Sequence, residues 1–225
     1  CILVKDKTLY KAVIFDFDGL VVDSEPIYVE SNKRFLSEKG ITDFSIIEKI
    51  FGMRAEETFE LMKSTFDFPE TVEDLMNLRN SYILQDFADG KLKLMKGLHE
   101  LIEFLKTNGY KTAIGSSSKK SLLSSGMDTH NIEKHFDIIV CGDDVTKGKP
   151  EPEIYLKVAE ILNLDPSECI VLEDAPNGVL AGKRAGMFTI SVPNKETRDL
   201  KFPEHDLKAD DLLQVIDIIK GLENK

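Results

Sequence analysis

Basic charge is what this chain is short of. Its 29 lysines and arginines face 40 aspartates and glutamates, a net charge of −11, with a pI near 4.9. Nucleic acid and anionic membrane surfaces both recruit a basic footprint, so neither is expected as the main partner. Long apolar runs are missing as well. No stretch approaches the roughly 20 residues needed to span a bilayer, and Lys5, Asp6 and Lys7 interrupt the apolar material at the start. Cysteine is scarce and unpatterned: Cys1, Cys141 and Cys169 have no metal-ligand spacing, and the last two lie in apolar strand-like runs. That reads as small core residues in a reducing compartment. Cys1 stands where an initiator methionine would, so the first few residues read as a trimmed end and carry no argument. Internal repeats, low-complexity tracts and long linkers are absent too. The expectation is a soluble, cytoplasmic, monomeric protein whose partner is a small molecule.

What is present is organised around Lys11-Ala-Val-Ile-Phe-Asp-Phe-Asp-Gly19. Ala12 to Phe15 are long enough for a buried strand and too short for a helix. Asp16 and Asp18 follow at once, on one side of an extended chain, and Gly19 allows the sharp bend that keeps both facing a common ligand. Asp and Gly also mark ordinary strand-to-turn exits. Two acids aimed at one point, however, raise each other's proton affinity unless a cation or proton intervenes.

Beyond this strand the patterning changes twice. Ser24 and Pro26 mark a helix start, and that helix runs to about Lys39 before Gly40. From there to about Met95 only helical spacing appears, through Phe44, Ile47 and Ile50, then Phe59, Leu61 and Met62, then Val72, Leu75, Leu78, Tyr82 and Ile83. This block reads as a small helical bundle. The remainder alternates. Helices are predicted over Leu98–Thr107, from the Ser116–Ser118 turn to about Ser125, and over 153–162, 176–185 and 211–222. Strands are predicted over 110–114, 137–141, 169–172 and 187–192. Strands separated by helices of this length imply a mainly parallel, doubly wound sheet covered on both faces. The map is an α/β core from residues 1–24 and 95–225, with a helical cap of residues 25–94 inserted after the first strand. Ligands of open parallel sheets bind at the carboxyl ends of the strands, and an insertion at that point is expected to lie over them and to close on substrate.

The residues that end each predicted strand are Asp16 and Asp18, Ser116, Asp143 and Asp144, and Glu173 and Asp174, with Lys149 arriving on a Gly-Pro loop. So many acids need positive charge, and Lys149 alone is too little. Oxygen ligands from Asp16, Asp18 and Asp174 suit Mg²⁺. Zinc is disfavoured because His99, His130, His135 and His205 lie outside these strand ends. A cation, a lysine and a hydroxyl together suit a phosphate group, with Ser116 and the backbone N–H groups that follow it, including that of Ser117, as donors. Asp16 then serves as nucleophile, giving an acyl phosphate, and Asp18 as the proton donor and later the base that activates water. Ser116–Ser118 also read as plain helix capping, Lys149 as a solvated loop charge, and Asp143 and Asp144 as loop acids that cap or orient Lys149.

The chain resembles the haloacid dehalogenase superfamily, in its phosphatase and phosphomutase branch with an inserted helical cap and a Rossmann-like core. Asp16-Phe-Asp-Gly-Leu-Val-Val-Asp-Ser-Glu25 is similar to the first family motif, Ile114-Gly-Ser116 to the second, Lys149-Pro-Glu-Pro152 to the third and Leu172-Glu-Asp-Ala-Pro-Asn-Gly178 to the fourth. The resemblance implies Asp16 as nucleophile, Asp18 as acid/base reaching the metal through its carbonyl, Ser116 and Lys149 as phosphate ligands, and Asp174 as a metal ligand with Glu173 beside or on the metal. Beta-phosphoglucomutases carry a histidine where this chain has Tyr28, and more basic residues in the cap. The loop Phe51-Gly-Met-Arg-Ala55 offers only Arg54, so Tyr28 and Arg54 are weak candidates for substrate contact and hydrolysis is favoured over a mutase reaction. Small phosphorylated metabolites, sugar phosphates among them, are the expected substrates. The rival readings are a beta-phosphoglucomutase-type phosphosugar mutase, told apart by where the phosphoryl group ends up, and a non-catalytic phosphate-ligand module, in which Asp16→Asn changes nothing.

Overall fold

The computed structural model describes residues 10–50 and 53–223, so Cys1 and Lys5–Lys7 lie outside it. The chain divides into two compact units, one running to Asp23 and resuming at Leu94, the other Ser24–Lys93. The first is an α/β unit on a six-stranded sheet. Its strands are β1 (Ala12–Phe15), β4 (Lys111–Gly115), β5 (Ile138–Val140), β6 (Cys169–Glu173), β7 (Phe188–Ser191) and β8 (Leu207–Lys208), in the order β5-β4-β1-β6-β7-β8. Every neighbouring pair is parallel. Two further short strands, β2 (Val22–Asp23) and β3 (Lys93–Leu94), pair with each other apart from the main sheet.

Buried on both faces, the central strands read as continuous apolar runs, as parallel sheets require. Ala12, Ile14, Ala113, Cys169 and Val171 point to one face and pack with Ile154, Tyr155, Val158 and Ala159 of α7 (Glu153–Leu162) and Ala181 of α8 (Pro176–Arg184). By the pleat, Val13, Phe15, Ile114, Ile170 and Leu172 point to the other. There α5 (Leu98–Thr107) packs on β4 and against α9 (Leu212–Glu223). α6 (Lys120–His130) completes the unit.

The second unit is all-helical: α1 (Glu25–Glu38), α2 (Ile46–Ile50), α3 (Ala55–Phe66) and α4 (Val72–Ala88). It has its own core of Phe35, Leu36, Ile46, Ile50, Phe59, Met62, Phe68, Leu75 and Tyr82. Phe35 meets Phe59 and Phe68 edge to face at 5.3 and 5.8 Å between ring centroids, a geometry that aligns ring edges with ring faces.

The largest difference from the sequence reading is α6. It starts at Lys120, after the serine turn, and continues five residues past Ser125 to His130, where Asn131 caps it in a left-handed conformation. Ser124-Ser125-Gly126 looks like a break, but Leu122, Leu123, Gly126 and Met127 form one buried face, and tertiary packing overrides the local signal.

Candidate active site

β1 sits at the centre of the sheet, with β4 on one side and β6 on the other. The chain order reverses there, which opens a crevice at the strands' carboxyl ends. Asp16 is the first residue beyond β1, and its N–H donates to the Leu172 carbonyl at 3.0 Å, extending the ladder by one step. Asp18 forms an isolated bridge with Val22. Gly19 turns between them at φ +77°, and a Cβ there would lie 2.4 Å from Asp174 Oδ2. Only glycine combines that backbone angle with that approach.

Lys149 is buried at the centre of the acids. Its Nζ donates to Asp16 Oδ1 and to Glu173 Oε1, both at 2.6 Å. Glu173 Oε1 also accepts from the hydroxyl of Tyr155, a fully buried residue of α7. The Tyr155 ring centroid lies 4.9 Å from Lys149 Nζ. Gly178, in the first turn of α8, leaves Glu173 its space: a Cβ there would come within 1.8 Å of Glu173 Oε1.

Asp16, Glu173 and Asp174, all buried, each offer a carboxylate oxygen, and these atoms lie within 4.8 Å of one another. Two of these three carboxylates, Asp16 and Glu173, share one lysine. Burial pushes the Asp16 carboxyl up to about 7, with the Glu173 charge adding to the effect, Lys149 opposing it and Asp18 adding a little more. Burial pulls Lys149 down, but the charges of Asp16 and Glu173 outweigh it and hold the ammonium well above its ordinary range. A hard, all-oxygen donor set with excess negative charge fits a divalent cation such as Mg²⁺.

The Asp18 carboxylate is placed differently. Its Oδ2 accepts from the Ser118 hydroxyl, and it does not belong to the group of three. Ser116 is fully buried, and its hydroxyl accepts the Ser118 N–H at 3.0 Å. Ser117 is exposed. Because α6 begins only at Lys120, the amides of Ser117 and Ser118 belong to a turn ahead of the helix and not to its first turn. Asp143 and Asp144 do not orient Lys149. Asp143 accepts the Lys120 N–H at 2.7 Å, and Asp144 accepts the Cys141 N–H at 2.9 Å, so both brace the loop after β5.

Asn194, in the loop that follows β7, donates from Nδ2 to Asp174 Oδ2 at 2.8 Å and to the Gly19 carbonyl at 3.1 Å. No local signal marks it, since the contact spans 175 residues of sequence to Gly19. In the helical unit, Arg54 is exposed at the N-terminus of α3, and Phe51 and Gly52 of its loop lie outside the described residues. Tyr28 is half-buried on α1, and the guanidinium carbon of the buried Arg79 on α4 lies 5.5 Å from its ring and 5.3 Å from that of Phe59. Arg79 is a buried cation of this unit that loop composition alone misses.

The family model for haloacid dehalogenase-like hydrolases matches residues 13–192. The chain belongs to that family. Among its relatives, a phosphorylated carbohydrates phosphatase of Thermotoga maritima is 34% identical over 182 residues, 80% of this chain and 83% of that one. Among solved structures, CbbY from Rhodobacter sphaeroides in complex with phosphate superposes with a TM-score of 0.83 at 23% identity, over 92% of this chain and 96% of that one, a likeness of fold. Beta-phosphoglucomutase from Clostridium difficile superposes with a TM-score of 0.79 at 25% identity, over 96% and 97%. As a haloacid dehalogenase-like hydrolase with phosphatase relatives, the protein is an enzyme of the phosphoric monoester hydrolase class. Among the described residues no helix is long and apolar enough to cross a membrane.

Proposed function

We propose that this hydrolase is a Mg²⁺-dependent phosphatase of small phosphorylated metabolites, sugar phosphates first among them, working through an aspartyl-phosphate on Asp16. One observation carries the reading: carboxylates from two strand ends, Asp16 on one and Glu173 with Asp174 on the other, converge within 4.8 Å, and a buried lysine bridges Asp16 and Glu173. Asp16 and Asp174 would hold the cation through their carboxylates and Asp18 through its carbonyl. Glu173, committed to Lys149 and Tyr155, serves better as the anchor of Lys149 than as a direct ligand. When bound, Mg²⁺ supplies charge to the non-bridging phosphate oxygens and to the Asp16 carboxylate.

Asp16 attacks phosphorus, forming an oxygen–phosphorus bond as the bond to the substrate's ester oxygen breaks, while Asp18 gives that oxygen a proton. Water then attacks the acyl phosphate, passing a proton to Asp18 and restoring Asp16. Lys149 and the Ser116 hydroxyl neutralise and orient the transferring group in both steps, and a fixed cradle of this kind needs no reorganisation between them.

The fold shared with a beta-phosphoglucomutase makes phosphoryl return to the sugar the competing reading. A panel of phosphorylated metabolites, assayed for free phosphate with Mg²⁺ and with EDTA, decides between them. Free phosphate that requires Mg²⁺, and that falls roughly a thousandfold or more in Asp16→Asn, is the expected result. An isomerised sugar phosphate without phosphate release overturns hydrolysis. Undiminished turnover by Asp16→Asn overturns the aspartyl-phosphate.

A further inference from the structure

We infer that Asn194 is a positioning residue that fixes the Asp174 carboxylate in the orientation that receives a divalent cation, an inference that rests on the metal-dependent reading above. The amide has only one way to face. Its Oδ1 accepts the backbone N–H groups of Glu196 at 2.9 Å and Thr197 at 3.0 Å, and the Thr197 hydroxyl at 3.1 Å. With the oxygen so committed, Nδ2 turns to Asp174 Oδ2 at 2.8 Å and the Gly19 carbonyl at 3.1 Å. The reverse flip would set an oxygen against two acceptors and an NH₂ group against three donors.

Thr197 locks the arrangement. It is buried to 4% exposure, and its hydroxyl accepts the Asn194 N–H at 3.0 Å while donating to Asn194 Oδ1. The turn after β7 is therefore built around one side chain, which ties together the exits of β1 and β6. Gly19 belongs to the same knot, since a Cβ on it would lie 2.7 Å from Asn194 Nδ2 as well as against Asp174.

The chemistry of the donor matters. A neutral amide fixes the rotation of a carboxylate without cancelling its charge, whereas a lysine or arginine in its place would compete with the cation. Hydrogen bonds of this kind to ligating carboxylates typically change metal affinity by about 10–100-fold when removed.

The test is calorimetric titration of the substrate-free protein with Mg²⁺, comparing wild type with Asn194→Ala and with Thr197→Val, each checked for folding by its unfolding transition in EDTA. The expected result is an Mg²⁺ affinity about 10–100-fold weaker in Asn194→Ala, with a smaller loss of the same sign in Thr197→Val. A folded Asn194→Ala protein that binds Mg²⁺ as tightly as wild type overturns the inference and leaves the metal reading intact. Should Asn194→Ala fail to fold, wild-type affinity in the near-isosteric Thr197→Val does the same. A wild type that takes up no Mg²⁺ removes the metal reading itself, and this inference with it.

Discussion

Lys149 and Glu173 are each buried and charged, and neither is tolerable alone. Removing an ion from water costs several kcal/mol even after relaxation, and only good geometry and full hydrogen bonding offset it. Here Glu173 Oε1 accepts both Lys149 Nζ and the Tyr155 hydroxyl, and burial with the neighbouring carboxylates pushes the Tyr155 phenol well above its ordinary range, so it stays a donor. Tyr155→Phe keeps the ring and its packing but removes one hydrogen bond to a buried charge. It should destabilise the protein by about 1.5–3 kcal/mol, measured by urea denaturation, and a loss below about 0.5 kcal/mol would mean that Glu173 does not depend on the phenol. The division between legible and illegible residues follows from the same contacts. Asp16, Asp18, Lys149 and Asp174 could be read from sequence because each ends a strand or follows one within a short loop. Tyr155, Ser118 and Asn194 could not: their partners lie 18, 100 and 175 residues away in sequence, and a core tyrosine, a serine turn and a polar loop look the same whether or not they serve a site.

At the level of elements, α8 begins with the last three residues of the fourth motif, Pro176–Gly178, and packs closely on the sheet at Gly182. Gly182 makes the approach possible, because a Cβ there would sit 2.7 Å from Thr189 Oγ1 on β7 and 3.2 Å from Val171 Cγ1 on β6. Thr189 is fully buried and β-branched, so it has little room to yield. Alanine is the better helix former by about 1 kcal/mol, yet overpacking typically costs about 1–3 kcal/mol. Gly182→Ala should therefore be destabilising by about 1 kcal/mol or more in thermal denaturation, and a raised melting temperature would show that α8 can lift off the sheet without loss. Long periodic elements were legible: α5 and α7 fall where apolar spacing places them. The two-residue strands β2, β3 and β8 carry no period to detect. The end of α6 was hidden by a serine–glycine pair that packing absorbs.

For the molecule as a whole, the acids that cost most are the few that are buried together, Asp16, Glu173 and Asp174. Asp16 has an ordinary carboxyl in the unfolded chain, at 3.8, and one pushed up to about 7 in the folded protein. Between those values the folded state holds a proton that the unfolded state has released. The stability contributed by this group is therefore present below about pH 4 and lost as pH rises toward about 7, by at most about 4 kcal/mol. Other carboxylates push the opposite way, Glu153 and Asp144 being held below their ordinary range by backbone donors, so the wild-type profile alone does not isolate Asp16. The difference between Asp16→Asn and wild type does. An asparagine can still accept from Lys149 but has no charge to bury. In EDTA, Asp16→Asn should be the more stable protein, with an advantage that grows by about 2–3 kcal/mol between pH ~5 and pH ~8. Saturating Mg²⁺ should reverse the order, because a ligand stabilises the state that binds it and the variant has lost one of the carboxylates offered to the cation. An advantage independent of pH, or absent in EDTA, would mean that the strain of assembling these acids is relieved by something other than a proton or a metal ion.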